Sequence, residues 1–238
     1  MAESPLISVV VPCFEEATTI AEIVRAVANA GLNVEIIVVD DGSTDGSGEI
    51  VAALCGEIAP LRLIRHAANL GKGAAVRTGI AASSGEFVVV QDADLEYDPA
   101  DLPALLAPLR AGVADAVYGS RLRGGAAQRA HLFWHYAGNR FLSLLADVLY
   151  NTTLSDIEVG YKAFAGDLIR SLRLLSDDFA FEAEVTAKLL RRGARVYEVP
   201  VAYYGRTYLE GKKITWQDGF RAVWALFRFR FSRLDPPA

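Results

Sequence analysis

Three carboxylates, Asp92, Asp94 and Glu96, follow directly on the apolar run Phe87-Val-Val-Val and Gln91. In an extended chain alternate side chains share a face, so this spacing predicts that all three point the same way. Carboxylates crowded in this manner repel one another unless positive charge sits between them. A hard divalent cation, Mg2+ or Mn2+, prefers oxygen ligands and commonly bridges to substrate phosphates. The cluster therefore has two readings: a metal site with Asp92, Asp94 and Glu96 as ligands, or a solvated acidic turn. Its place at the carboxyl end of a buried strand, where open α/β sheets bind ligands, favours the first. The three histidines, His66, His131 and His135, form no convincing cluster, which argues against zinc.

The elements that must position these groups follow from periodicity. Apolar runs at 6–11 (stopped by Pro12), 34–39, 61–65, 87–90, 116–119 and 195–201 predict strands. Pro200 suits an edge position. Helical spacing is expected over 18–30, with Thr18 or Thr19 as cap, and over 47–54, 71–82 and 99–109. The segment 131–150 predicts one helix or two, and 177–190 a loop followed by a helix carrying Glu182 and Glu184. Alternating strands and helices predict an α/β fold: a Rossmann-like, mostly parallel central sheet with helices on both faces. Neither dinucleotide nor P-loop fingerprints are present: Phe14-Glu-Glu-Ala-Thr follows the first strand, and Gly71-Lys72 lacks P-loop spacing.

The bulk properties narrow the partners. The 238 residues suit one large domain, with 52% hydrophobic and 22% charged residues, as in an ordinary globular core. A net charge of -5 argues against nucleic acid as a partner. Cys13 and Cys55 stand in apolar surroundings and are expected to be reduced. No signal peptide is visible, and no run of eighteen apolar residues occurs. We divide the chain into a domain over 1–215 and an amphipathic extension over 216–238. In the extension Trp216, Phe220, Val223, Trp224, Phe227 and Phe231 fall at helical spacing with Arg221, Arg228 and Arg230 interleaved. Such a helix either lies in a membrane interface or packs on the sheet.

Taken together these stretches resemble the family 2 glycosyltransferases of GT-A fold, in particular the polyprenyl- or dolichol-phosphate sugar synthases. The resemblance is carried by Val11-Pro-Cys-Phe-Glu-Glu16, Val39-Asp-Asp-Gly-Ser-Thr-Asp45 and Asn69-Leu-Gly-Lys-Gly73. It continues through Asp92-Ala-Asp94, which has the DXD form, Gly119-Ser-Arg121, and the segments 156–162 and 206–214. Glu15 stands where relatives commonly have Asn, and Phe14 where they have Tyr. Relatives in this branch often carry two membrane helices beyond the point matched by residue 238.

The resemblance implies a nucleotide-sugar donor and a divalent metal. Pro12, Phe14, Glu16, Asp41, Lys72, Gly73, Asp92, Ala93 and Asp94 would hold the donor. Asp92 and Asp94, with Glu96, would hold Mg2+ or Mn2+ against the leaving diphosphate. A phosphate acceptor is already anionic and needs cations rather than a base; Arg121, Arg206, Lys212 and Lys213 are the candidates. Each could instead be a solvated surface charge. Asp40 and Asp45 are candidate turn caps, and one of Glu182 and Glu184 is expected to be structural or to bind sugar. Asp92, Asp94, Arg121 and Arg206 are thus the expected catalytic groups of an inverting transfer. The donor would be UDP-glucose, with GDP-mannose next, and the acceptor a polyprenyl or dolichyl phosphate whose chain runs past Phe133 and Trp134. The alternative acceptor is a soluble hydroxyl compound, a polysaccharide or small metabolite; a non-catalytic sugar-nucleotide binder is a further reading. The implied location is cytoplasmic, peripheral on the inner face of the membrane.

Overall fold

The structure, a computed structural model, describes residues 6–125, 129, 132–206 and 216–232. Seven strands form one sheet: β1 (Ile7–Cys13), β2 (Val34–Asp40), β3 (Leu61–Arg65), β4 (Phe87–Val90), β5 (Ala116–Ser120), β6 (Lys162–Ala165) and β7 (Val196–Pro200). Their spatial order is β3-β2-β1-β4-β6-β5-β7. Every neighbouring pair is parallel except those made by β6, which runs antiparallel to both β4 and β5. All seven residues of β2 are buried, as expected of a parallel strand covered on both faces.

The helices are α1 (Ile20–Ala28), α2 (Ser47–Leu54), α3 (Lys72–Ala82), α4 (Leu102–Arg110), α5 (Phe133–Tyr150), α6 (Gly166–Ser171), α7 (Ala180–Arg191) and α8 (Trp216–Phe231). A 3-10 turn over Pro99–Asp101 leads into α4. Among the described residues no helix is long and apolar enough to cross a membrane.

The strand order creates the site. The chain runs outward from β1 through β2 to β3, then returns to the other side of β1 as β4. The carboxyl ends of β1 and β4 therefore diverge at a topological switch point, the usual ligand crevice of an open α/β sheet. Pairing of β1 with β4 stops at Val10↔Val90, while pairing with β2 continues to Cys13↔Asp40. Contrary to expectation, Pro12 does not stop β1: beyond Val10 the strand has a free edge, where a missing N–H is tolerated.

The sequence reading missed β6 and α6, and β6 matters most. Because it is antiparallel, its first residue, Lys162, pairs with Val90 at the end of β4 and with Tyr118 near the end of β5. The segment 155–161 that leads into β6 is thereby delivered to the same sheet edge as the acidic cluster and Arg121.

The α8 helix packs on α7 and α5 rather than on the sheet, the alternative the sequence left open. It buries Ala222, Ala225, Leu226 and Phe229. Tyr150 donates to the Leu226 carbonyl at 2.6 Å, and Arg191 to that of Phe229 at 2.5 Å. Its other face leaves Phe220, Trp224 and Phe231 exposed, and α5 exposes Phe133, Trp134, Phe141, Leu144 and Val148. Cys13 is buried and its thiol is pushed up to about 12, chiefly by that burial; Cys55 is only partly buried, and both are free.

Candidate active site

A cavity of about 900 Å³ opens at this edge. It is lined by Pro12, Phe14, Glu16 and Asp41, by Asp92, Ala93, Asp94 and Glu96 of the acidic turn, and by Arg121, Glu158, Glu182 and Arg206, with Trp134 and Asn139 of α5 alongside.

The acidic cluster reaches the cavity by a different route from that expected. The chain leaves the extended conformation after Gln91 and turns through Leu95, at φ 61°. That left-handed conformation is unusual for leucine, and such residues concentrate at functional sites. Within the turn Glu96 N donates to Asp94 Oδ1 at 3.1 Å.

Each carboxylate then meets its own protein donor. Asp92 Oδ1 lies 2.7 Å from Lys72 Nζ. Asp94 Oδ2 accepts from Arg206 NH2 at 3.0 Å. Glu96 accepts from Tyr203 Oη at 2.9 Å and from the Arg206 backbone N–H at 2.6 Å. Among the described residues no three acidic, histidine or cysteine groups converge as a ready ligand set. The three-carboxylate metal site predicted from extended spacing is therefore not preassembled, because each side chain is turned onto a different donor.

The residues still fit a hard cation. Asp94 is half-buried, and desolvation, followed by the charges of Asp92 and Glu96, pushes its carboxyl up to about 7 despite Arg206. A guanidinium already lies against it, so the position is built for positive charge. One or two carboxylates completed by phosphate oxygens is how Mg2+ is ordinarily held.

Arg206 bridges the two sides of the switch point. Its NH1 and NH2 donate to Glu16 at 3.1 and 2.9 Å, while NH2 also reaches Asp94. Its Nε is buried with no hydrogen-bond partner. Arg121 is not a solvated surface charge either. Its Nε and NH2 clamp Asp156 at 2.6 and 2.7 Å, and its guanidinium lies 5.1 Å from the Tyr203 ring centroid. Lys212 and Lys213 lie outside the described residues.

Lys72 stands at the first turn of α3. Burial works against its charge, but Asp92 and Glu182 outweigh that and raise its pKa. The neighbouring glycines are there for packing. A Cβ at Gly71 would come within 2.4 Å of the Asp177 carbonyl oxygen, and one at Gly73 within 2.4 Å of that of Ser176. Gly73 thus faces the 176–178 loop rather than the cavity, a correction to its expected place beside the nucleotide.

Asp41 is tied down within the protein. It accepts from Leu70 N at 3.0 Å and Gly71 N at 2.8 Å, and His66 Nδ1 lies 2.6 Å away. It fixes the loop that presents Lys72. Asp40 and Asp45 cap turns as expected: Ser43 N donates to Asp40 at 3.0 Å, and Ala17 N and Ser47 N to Asp45 at 2.9 and 3.0 Å. Thr19 is the cap position of α1, but its hydroxyl bonds Glu16 instead of the helix.

The structure separates the two α7 glutamates. Glu184 is structural, accepting from Leu175 N and Ser176 N and pairing with Lys188. Glu182 turns to the cavity: Oε2 is held by buried Lys162, and Oε1 faces Lys72 Nζ at 3.5 Å without a hydrogen bond. Sequence reasoning gave no role to Glu158, Gly160 or Tyr203. Glu158 lies in the cavity wall, pushed up to about 7 by burial and then by Glu182. Gly160 makes room for the Asp92–Lys72 pair, since a Cβ there would stand 2.1 Å from Asp92 Oδ2. The alternation Asp156, Glu158, Gly160, Lys162 was the available signal.

Comparison with known proteins agrees with this geometry. The profile of the family described as "Glycosyl transferase family 2" matches residues 8–160. The chain is 30% identical over 204 residues to "Glycosyltransferase AglJ" of Haloferax volcanii, covering 84% of this chain and 63% of that one. It is 30% identical over 227 residues to that organism's "Low-salt glycan biosynthesis hexosyltransferase Agl6", covering 92% of this chain and 52% of the other. The chain thus spans less than two thirds of the length of either relative. A third, "Undecaprenyl-phosphate mannosyltransferase" of Micrococcus luteus, is 29% identical over 215 residues, 85% of each chain. In fold the chain matches glucosyl-3-phosphoglycerate synthase of Mycobacterium tuberculosis with a TM-score of 0.74 at 23% identity, covering 95% of this chain and 79% of that one. With the family profile spanning most of the chain and the sheet of the GT-A fold in place, this protein belongs to glycosyl transferase family 2.

Proposed function

We propose that the protein transfers a hexose, with inversion, from a nucleotide-sugar (UDP-glucose first, GDP-mannose next) to a polyprenyl phosphate. The observation that carries this is the meeting of the Asp92–Asp94–Glu96 turn with Arg121 and Arg206 in one cavity. Two anionic substrates can approach each other only where cations face both.

The nucleoside end would lie against Pro12, Phe14 and Asp41, and the diphosphate near Lys72, Asp94 and Arg206. A bound Mg2+ or Mn2+, held by Asp94 with Asp92 and Glu96 beside it, would supply Lewis-acid neutralisation of the leaving diphosphate. Arg121, with Lys212 and Lys213 from the following segment, would position the acceptor phosphate. An acceptor phosphate oxygen forms the new bond to the anomeric carbon from the face opposite the leaving group. The old carbon–oxygen bond breaks, and its electron pair departs on the nucleoside diphosphate. No proton need be removed from an anionic acceptor. The work of the site is therefore positioning and charge stabilisation, usually the largest catalytic term.

The Micrococcus relative is named for an undecaprenyl-phosphate acceptor, which supports the lipid reading. The exposed aromatic faces of α5 and α8 support contact of the 216–238 extension with the cytoplasmic face of a membrane. A second reading, a water-soluble acceptor, draws on the fold neighbour, which was crystallised with Mn2+, UDP and phosphoglyceric acid. Incubation with polyprenyl phosphate, UDP- and GDP-hexoses and Mg2+ or Mn2+ tests the proposal. A lipid-linked hexose is expected, while formation of water-soluble glycosides alone would favour the second reading.

A further inference from the structure

Tyr203, which follows β7, is buried and touches two charged groups of the cavity through different parts of its side chain. Its hydroxyl donates to Glu96 Oε2 at 2.9 Å, and its ring centroid lies 5.1 Å from the Arg121 guanidinium. In the reading above, Glu96 belongs to the turn that faces the donor and Arg121 faces the acceptor. A tyrosine serving packing alone would need neither contact. Its O–H could be satisfied by a backbone carbonyl and its ring covered by aliphatic side chains.

The ring is itself held. Tyr97 packs on it with centroids 5.3 Å apart and planes tilted by 44°. Tyr97 Oη in turn accepts from Gly160 N at 3.3 Å, beside the point where Asp92 passes. The flanking backbone is tied down as well: Ala202 N donates to Asp101 at 2.8 Å and Tyr204 N to the Glu96 carbonyl at 3.0 Å.

Arg121 needs this second hold. Asp156 clamps one edge of the guanidinium, through Nε and NH2. An edge clamp fixes the group within its plane but opposes tilting only weakly. An aromatic face against it opposes tilting, and a cation within about 6 Å of a ring centroid is attracted to that face. An incoming phosphate then meets N–H groups that are already aimed.

We propose that Tyr203 is a positioning residue that holds the acceptor-facing arginine at a set distance from the acidic turn, its ring steadying Arg121 and its hydroxyl steadying Glu96. The inference rests on the acceptor-phosphate and metal reading above and deepens it. Tyr203→Phe keeps the ring and removes the hydroxyl; Tyr203→Leu removes both, with Tyr203→Met in its place should the leucine variant not fold. The full chain is assayed for transfer from the nucleotide-hexose to undecaprenyl phosphate, and Mn2+ affinity in the presence of the bare nucleotide is measured by calorimetry. Tyr203→Phe is expected to weaken Mn2+ binding about tenfold, while the KM for the lipid phosphate stays within about twofold of wild type. Tyr203→Leu should weaken Mn2+ binding equally and also raise that KM about tenfold at saturating Mn2+, with kcat within about threefold of wild type. Loss of folded protein alone would do the reverse, lowering kcat and leaving KM unchanged. The proposal is overturned by a lipid-phosphate KM that is unchanged in Tyr203→Leu or that rises as much in Tyr203→Phe, and equally by Mn2+ binding that neither variant alters. If wild type transfers no hexose to the lipid phosphate, the acceptor reading fails and this inference falls with it.

Discussion

The Arg121–Asp156 pair allows structural and chemical roles to be separated. Asp156 is 0% exposed and the Arg121 side chain 13%, and two guanidinium arms meet the carboxylate at 2.6 and 2.7 Å. Arg121→Met would leave that carboxylate buried and uncompensated, which costs about 3–5 kcal/mol. For a chain of this length each kcal/mol lowers the melting temperature by about 2–4 °C, so a drop of roughly 10 °C is expected. Adding Asp156→Asn removes the stranded charge and should recover more than half of the loss. Transfer to polyprenyl phosphate should not recover with it, staying about a hundred- to a thousandfold below wild type, because the cation facing the acceptor is still missing. Differential scanning calorimetry and a radiolabelled transfer assay on the same samples read the two quantities. A single variant melting within about 2 °C of wild type would show the pair to be worth no more than an exposed one. A double variant that is both stable and active would limit Arg121 to a structural role.

Arg206→Ala should behave differently, since Arg206 faces the cavity between Asp94 and Glu16. We expect turnover to fall about a hundred- to a thousandfold and Mn2+ binding without substrate to tighten as Asp94 loses its guanidinium, both measurable by assay and calorimetry. Gly160→Ala places a methyl 2.1 Å from Asp92 Oδ2, so Asp92 must leave Lys72; donor affinity should drop about tenfold in a titration, and an unchanged affinity would contradict the packing. Glu158 gives a pH signature. Burial and Glu182, with Asp156 adding and Lys162 and Arg121 opposing, raise its carboxyl from 4.5 to about 7. The folded state then holds the proton more tightly than the unfolded chain. The stability this contributes is present below 4.5 and is lost as pH rises to about 7. The stability advantage of Glu158→Gln should therefore grow across that window to at most about 3.4 kcal/mol and then level off, as followed by urea denaturation at each pH.

Much of this architecture was legible because its signals are local. The strands Phe87–Val90 and Leu61–Arg65 and the helix Ser47–Leu54 have the predicted bounds, since each is an apolar run or helical period bracketed by turn residues. The strand Lys162–Ala165 was not legible: it is four residues long, begins with a lysine and is defined by its antiparallel partners. Missing it hid why 155–161 belongs to the site. Residue type located the acidic cluster, but a backbone turn at Leu95 decides which donor each carboxylate meets. Arg121 and Lys162 show the same limit, since their burial depends on partners 35 and 20 residues away along the chain. The amphipathic period of α8 showed that one face must be covered but not that α5 and α7 cover it.

The most direct test of the account compares polyprenyl phosphate with the corresponding free polyprenol, under identical donor, metal and detergent conditions. Cations positioned for an anionic nucleophile, with no proton to remove, predict hexose transfer to the phosphate and none measurable to the alcohol. Equal or preferential transfer to the alcohol would contradict the account.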